Sequence, residues 1–265
     1  MNSIDFGRAF GSPFKDPGWI VKTLLGGLFF LIPLVNFVVF GAFLKRIKSV
    51  SEGDETLPEW NDFGGMWVKG LMFAIAGFIY MLPAIIVMMI GMFMVIGAAA
   101  TGSDSAAGLG VGGMCFFYFI AFVWAIAVSV LMYAAATNYV EKDSFGAFFQ
   151  FGEILAKVRT GGYFMAWIFA IIASFVFGLV GIIPFVGWIA MLFAQYLALM
   201  VSGHLFGQWA ANAYGGPGLG AAATAAAPSA PAYTPPAPPA PPAPPAPPAA
   251  PAAPAAPPAP PAPPQ

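Results

Sequence analysis

The sequence predicts an all-α fold: a polytopic transmembrane helical bundle with proline-broken segments. Three observations carry this. Of the 265 residues, 60% are hydrophobic and only 8% are charged, against about 25% charged in a soluble domain. The spans 23–44, 71–100, 114–137 and 163–203 contain no Asp, Glu, Lys or Arg. Similar proline motifs interrupt three of the apolar runs. A soluble fold of this size cannot hide so much apolar surface, so lipid must serve as its solvent. In lipid the spanning segments must be helical, because hydrocarbon offers no partners to an open strand edge.

The elements follow in chain order. The N-terminal stretch carries Asp5 and Asp16 before the first apolar run and is followed by no small-x-small cleavage site. It is therefore expected to be retained rather than cleaved as a secretion signal. Five segments have the roughly 20 apolar residues that crossing hydrocarbon requires: 20–44, 70–100, 113–137, 163–183 and 185–209. The first contains "GLFFLIPLVNF" (27–37). Pro33 removes a helical hydrogen bond there, so the helix must kink or stop, and Asn36 is expected to satisfy the backbone groups this frees. A matching "GLVGIIPFVGW" (178–188) puts Pro184 in a tight hairpin turn between the last two segments. A looser copy, "GFIYMLPAIIV" (77–87), makes Pro83 a kink within one long helix.

The connections carry the polar chemistry. Residues 45–69 hold the acidic cluster Glu52, Asp54, Glu55, Glu59 and Asp62 beside basic residues. This reads as a solvated loop face; a divalent-ion site of oxygen ligands is the less favoured reading. Residues 101–112 read as a loop without cations. Residues 144–160 place Phe145, Phe148, Phe149, Leu155 and Val158 at helical spacing. They predict an amphipathic helix in the headgroup plane, capped by Ser144. Trp19, Trp60 and Trp67 are expected as interfacial anchors. The chain divides into a helical domain, 1–214, and a Pro/Ala-rich tail, 215–265, with 21 of the 27 prolines. The tail is expected to be disordered, with polyproline-II character and a reach of roughly 150 Å if fully extended. It reads mainly as a spacer, with a protein partner for it as the sharper alternative.

Small residues repeat at helical spacing, for example Gly70, Gly77, Ala84, Gly91 and Ala98, which suits close packing of helices in lipid. All ten Lys and Arg fall on one side of the membrane if the chain enters and returns at Pro33. If 20–44 crosses once, they divide seven to three. The positive-inside rule therefore favours the re-entrant hairpin, with both termini in the cytoplasm.

Chemistry is scarce. A net charge of −1 gives no field for nucleic acid. One cysteine, Cys115, excludes an internal disulfide. "GLGVGG" (108–113) lacks the Lys-Ser/Thr ending of a phosphate loop. One histidine, His204, leaves no nucleophilic triad and reads as a hydrogen-bonded anchor. No catalytic, metal or cofactor residues are assigned, and the segment interiors offer only Asn36, Gln195 and a few hydroxyls.

Certain motifs also resemble a known family. "PFKDPGW" (13–19), Gly26-Gly27, Pro33, Gly41 before a basic cluster, "LPEW" (57–60) and Gly70 look like domain-of-unknown-function family 4013, a group of bacterial and archaeal membrane proteins. The likeness covers about residues 5–213. Ala42 departs from it, since a Tyr commonly follows that glycine. The resemblance implies a membrane setting and no established activity. The sequence thus leads to a non-enzymatic, multi-pass protein of the bacterial inner membrane, in contact with membrane lipids and with a structural or assembly role. The alternative is a passive transporter of lipid or small solute, gated by its proline-broken helices. Oligomeric state is left open.

Overall fold

A computed structural model of the chain describes residues 4–214; the Pro/Ala-rich tail lies outside the described residues. All regular structure within them is helical. Helix α1 (Phe6–Gly11) leads through a 3-10 turn (Ser12–Lys15) to α2 (Trp19–Leu31), followed by α3 (Phe37–Ser51), α4 (Phe63–Ala100) and α5 (Asp104–Lys142). A 3-10 turn (Phe145–Phe149) and α6 (Phe151–Val158) cross to α7 (Tyr163–Gly178). A last 3-10 turn (Leu179–Ile182) then leads to α8 (Val186–Tyr214). Four helical stretches are long and apolar enough to cross a membrane: Phe63–Ala100, Asp104–Lys142, Tyr163–Ile182 and Val186–Tyr214.

The first apolar segment is not one of the four. It divides at Pro33 into helices of 13 and 15 residues, about 20 and 22 Å long. Their partners on α8 show that the chain reverses. Going forward from Asp5, whose N–H bonds to Gln208, to Gly26 against Tyr196 and Gly27 against Phe193, the α8 residue number falls. Along α3 it rises again, with Gly203 against Arg46 and Gly207 against Val50. The segment is a helical hairpin laid along α8.

The turn at Pro33 and the turn at Pro184 have the same backbone. Ile32 and Ile183 are extended, with ψ of 114° and 119°, as a residue preceding proline prefers. Leu34 and Phe185, the residues after each proline, sit in the left-handed region at φ 69° and 62°. Each turn is closed by the same main-chain bond, Asn36 N–H to the Ile32 carbonyl (3.1 Å) and Gly187 N–H to the Ile183 carbonyl (2.9 Å). The Asn36 side chain is therefore not needed there, contrary to expectation, and its buried Oδ1 has no partner among the described residues. The proline ends the helix instead of bending it, so no interior carbonyl is released for an amide to serve.

Pro83, expected as a kink, does not break its helix. Helix α4 runs through it without interruption. The turn that the proline loosens is supported from outside, because Trp124 Nε1 on α5 donates to the Tyr80 carbonyl at 2.9 Å.

Two further expectations are corrected. The loop at 101–112 shrinks to residues 101–103, since α5 already starts at Asp104 behind an N-cap on Ser103. "GLGVGG" is thus helical, and Gly110 lets Ala98 and the Met94 carbonyl approach closely. The stretch 144–160 is not one amphipathic helix but a 3-10 turn and an eight-residue helix joined at Gln150, and Ser144 makes no side-chain cap. Tertiary bonds cause this. The Phe148 carbonyl accepts from Tyr80 Oη (2.6 Å), and the Ala147 carbonyl from Asn138 Nδ2 (2.9 Å). Phe148 and Ile154 are fully buried, while Phe151 and Leu155 stay exposed.

The core sits where α3, α4, α5 and α8 meet. Helices α3 and α4 touch backbone to backbone. A Cβ on Gly41 would lie 1.9 Å from the Met66 carbonyl oxygen, and one on Gly70 1.7 Å from that of Phe37.

Candidate functional site

The charged residues gather at one end of the bundle, where the 52–62 loop closes over α2, α3 and α8. Asp16, in the turn before α2, is the first organiser. Its Oδ1 accepts from Gly18 N–H (2.7 Å), and its Oδ2 from Leu57 N–H (2.9 Å) and Lys22 Nζ (2.8 Å). Burial opposes its ionisation, but the Lys22 ammonium and the two N–H groups outweigh that and hold the carboxyl below its usual range. Lys22 Nζ also reaches the Leu57 carbonyl (3.0 Å) and Glu59 (2.6 Å). One cation thus fixes the "LPEW" loop to α2.

Arg46 is the second organiser and is fully buried on α3. Its Nη1 donates to the Glu55 (2.6 Å) and Thr56 (2.5 Å) carbonyls, and its Nη2 to Ser12 Oγ (2.8 Å). Burial pulls the guanidinium down to about 10, partly offset by Tyr196, Glu55, Asp54 and Asp16, so it stays cationic at neutral pH. The two ends of its planar fork reach acceptors too far apart for one ammonium, the loop carbonyls on one side and Ser12 on the other. The Glu55 carboxylate, paired with Arg8, lies 3.4 Å from His204 Nε2. His204 itself is fully buried, with Gln208 Nε2 at 2.9 Å from its Nδ1. That supports an anchoring role. Of the acidic cluster, then, Glu55 and Glu59 are tied into the cap, and Asp54 accepts from Thr56 N–H and Oγ1 (2.9 and 2.7 Å). Among the described residues no three His, Cys, Asp or Glu side chains come together as a metal site requires.

Further cations complete the same end. Lys69 pairs with Asp143 (2.7 Å), Lys142 with Glu153, and Lys157 with Glu141 (2.5 Å). A groove of about 310 Å³ between α3, α4 and the end of α5 is bordered by Lys45, Lys48 and Lys69, and by Asp62, Glu141 and Asp143. Its charges balance.

The apolar region holds one more feature. A cavity of about 310 Å³ opens between the α2–α3 hairpin, α5, α7 and α8. Phe30, Phe40 and Tyr133 line it beside Ser174, Gln195 and Ser202. The two serines bond back to their own helices, at Ala170 and Ala198.

The expected anchors pack on the protein itself. Trp19 meets the Phe14 ring (centroids 5.1 Å). Trp60 is enclosed by Phe29 and Tyr196 (5.0 and 5.8 Å). Trp67 Nε1 donates to the Leu34 carbonyl at 2.7 Å, tying the tip of the first hairpin to α4. Pro33 and Pro184 make matching turns in separate hairpins, and Pro83 lies apart in α4. Sequence reasoning did not single out Asp16, Lys22 or Arg46. Lys22 and Arg46, cations set within or beside apolar runs, were the available signal.

Comparison with known proteins gives a family and a distant relative. The family model described as "Protein of unknown function (DUF4013)" matches residues 24–186, more than half of the chain. An uncharacterised protein of Methanocaldococcus jannaschii is 24% identical over 145 residues, which cover 53% of this chain and 48% of that protein. The chain therefore spans about half the length of the curated relative it matches. No solved structure matches.

Proposed function

The chain belongs to the DUF4013 family of proteins of unknown function, and from that setting and its own geometry we propose a non-enzymatic, membrane-organising role in the bacterial cytoplasmic membrane. Four helices span, the α2–α3 hairpin enters and returns, and the charged end faces the cytoplasm with both termini. The observation that carries this is charge segregation. All ten Lys and Arg, and every acidic residue but Asp104, belong to the end that Arg46 and Lys22 organise. Cations are retained on the cytoplasmic side. A rigid charged platform, with a long Pro/Ala-rich segment following it, suits assembly of protein partners at the bilayer surface. Ion-coupled transport and acid–base catalysis are disfavoured, since the spanning interiors carry no ionisable carboxylate or amine.

Labelling tests the orientation. In a Cys115→Ser background, Ser105→Cys should react with a membrane-impermeant maleimide from outside intact cells, and Ser3→Cys should not. External reaction at position 3 overturns the re-entrant topology.

A second reading rests on the two identical proline turns, because broken helices in repeated positions often frame transport sites. Proteoliposomes separate the two. A platform protein leaks no lipid or small solute. Flux that is abolished by Pro33→Ala or Pro184→Ala would replace the platform role with passive transport.

A further inference from the structure

We propose that the cavity between the two hairpins binds a neutral, ring-headed membrane lipid of the isoprenoid quinone class. Depth is the first argument. Gln195 lies nine residues from Val186, where α8 begins, and nine from His204 in the charged end. At about 1.5 Å per residue it stands about 13 Å from either level, near the middle of the hydrocarbon. The ester carbonyls of a phospholipid lie near the headgroups, and its acyl chains offer nothing to bond at that depth.

Chemistry is the second argument. Among the described residues the half-buried Gln195 amide makes no hydrogen bond, and an uncommitted amide in hydrocarbon is costly. It can donate to a ring carbonyl that accepts. With no ionic group lining the cavity, the occupant must be neutral. Phe30, Phe40 and Tyr133 border the cavity with aromatic rings, against which a flat ring can pack. Size is the third. At about 310 Å³, the space is roughly twice the ~150 Å³ cavity that accommodates one benzene. A substituted quinone ring fits, and its tail can leave toward the lipid past the exposed faces of α7 and of α2.

Photolabelling of the full-length protein in phospholipid nanodiscs tests this, using an azido-substituted benzoquinone with decylubiquinone as competitor. The expected result is saturable labelling of the 192–202 stretch of α8, displaced by decylubiquinone. Gln195→Leu, which keeps the volume, should raise the competitor concentration for half-displacement about tenfold, as loss of one hydrogen bond in an apolar site does. The melting temperature should not fall. Ser174→Phe, which fills the space, should abolish labelling; if that variant does not fold, Gln195→Leu decides. The proposal is overturned by labelling spread over the lipid-facing helices, by an unaltered Gln195→Leu variant, or by equal displacement with dioleoylglycerol, which would mark an acyl-chain cleft. The orientation of the protein does not enter this outcome.

Discussion

Arg46 shows what a single residue decides here. Its guanidinium holds two loop carbonyls and Ser12 from a fully buried position. Arg46→Ala should therefore leave those acceptors unpaired and a gap in the packing, destabilising the cap by about 3 kcal/mol. The reading is a lower melting temperature in detergent and faster proteolysis within 52–62. Arg46→Lys should restore less than half of the loss, because one ammonium cannot span both sides. The carboxylates set a pH dependence. Asp16, Asp54 and Glu55 are held below their ordinary values of 3.8, 3.8 and 4.5. For Asp16 and Glu55 burial opposes this and is outweighed, by Lys22 and two N–H groups in one case and by Arg8 and His204 in the other. For Asp54 the Thr56 donors are the main cause. A carboxyl depressed on folding adds stability that is fully present above its unfolded value and lost as pH falls through the folded one. The hydrogen-exchange protection factors of Glu55–Leu57, referred to the intrinsic rate at each pH, should thus be flat above about pH 4.5 and fall steeply below 3.8. A flat profile down to pH 2 would remove these carboxylates from the account of the loop.

Close approach and reversal are decided by whole elements. The α3–α4 contact exists only because Gly41 and Gly70 leave room for a facing carbonyl. Gly41→Ala or Gly70→Ala should force the helices apart, at a cost of about 3 kcal/mol, whereas Gly97→Ala, which meets nothing within 4 Å, should be neutral or slightly stabilising. Equal melting temperatures for all three would show that the contact does not matter. The reversals follow the same logic. Leu34 and Phe185 adopt left-handed backbone that L side chains resist, and Leu34 is 66% exposed. Leu34→Gly should therefore raise the melting temperature, by the equivalent of about 1 kcal/mol. The motif at Pro33 was legible as a break, and the matching copy at Pro184 as a turn. That both are the same turn could be seen only from the backbone. Ala84, where the third copy departs from the pattern, follows Pro83 without leaving the helix.

At the scale of the whole molecule, α4 and α5 run for 38 and 39 residues, about 57 Å each, against about 30 Å of hydrocarbon. The hairpin must tilt steeply or stand beyond the bilayer. Its end, 97–112, is rich in Ala, Gly and Ser and costs least to expose. Gly97→Cys and Gly108→Cys, on the Cys115→Ser background, should react with a water-soluble maleimide from the side opposite the charged end, and Ile86→Cys should not. Protection at all three positions would place the whole hairpin in lipid or against another chain. Four of the five apolar segments were legible as spanning helices, and the charged end with them, because hydrocarbon admits one kind of backbone and rejects ions.

By itself the sequence determined the solvent, the helical class and the places where helices end, since each depends on local composition: ionic groups, apolar length and proline. Tertiary structure alone decided the partners. It brought Arg46 to the loop nine residues on, Gln208 to Asp5 across 203 residues, and Gln195 to a cavity edged by rings from two hairpins. It also broke the 144–160 stretch in two, because Tyr80 and Asn138 claim its carbonyls. Hydrogen-bond partners and packing neighbours are set by which surfaces meet, and one chain position carries no record of the other until the helices are in contact.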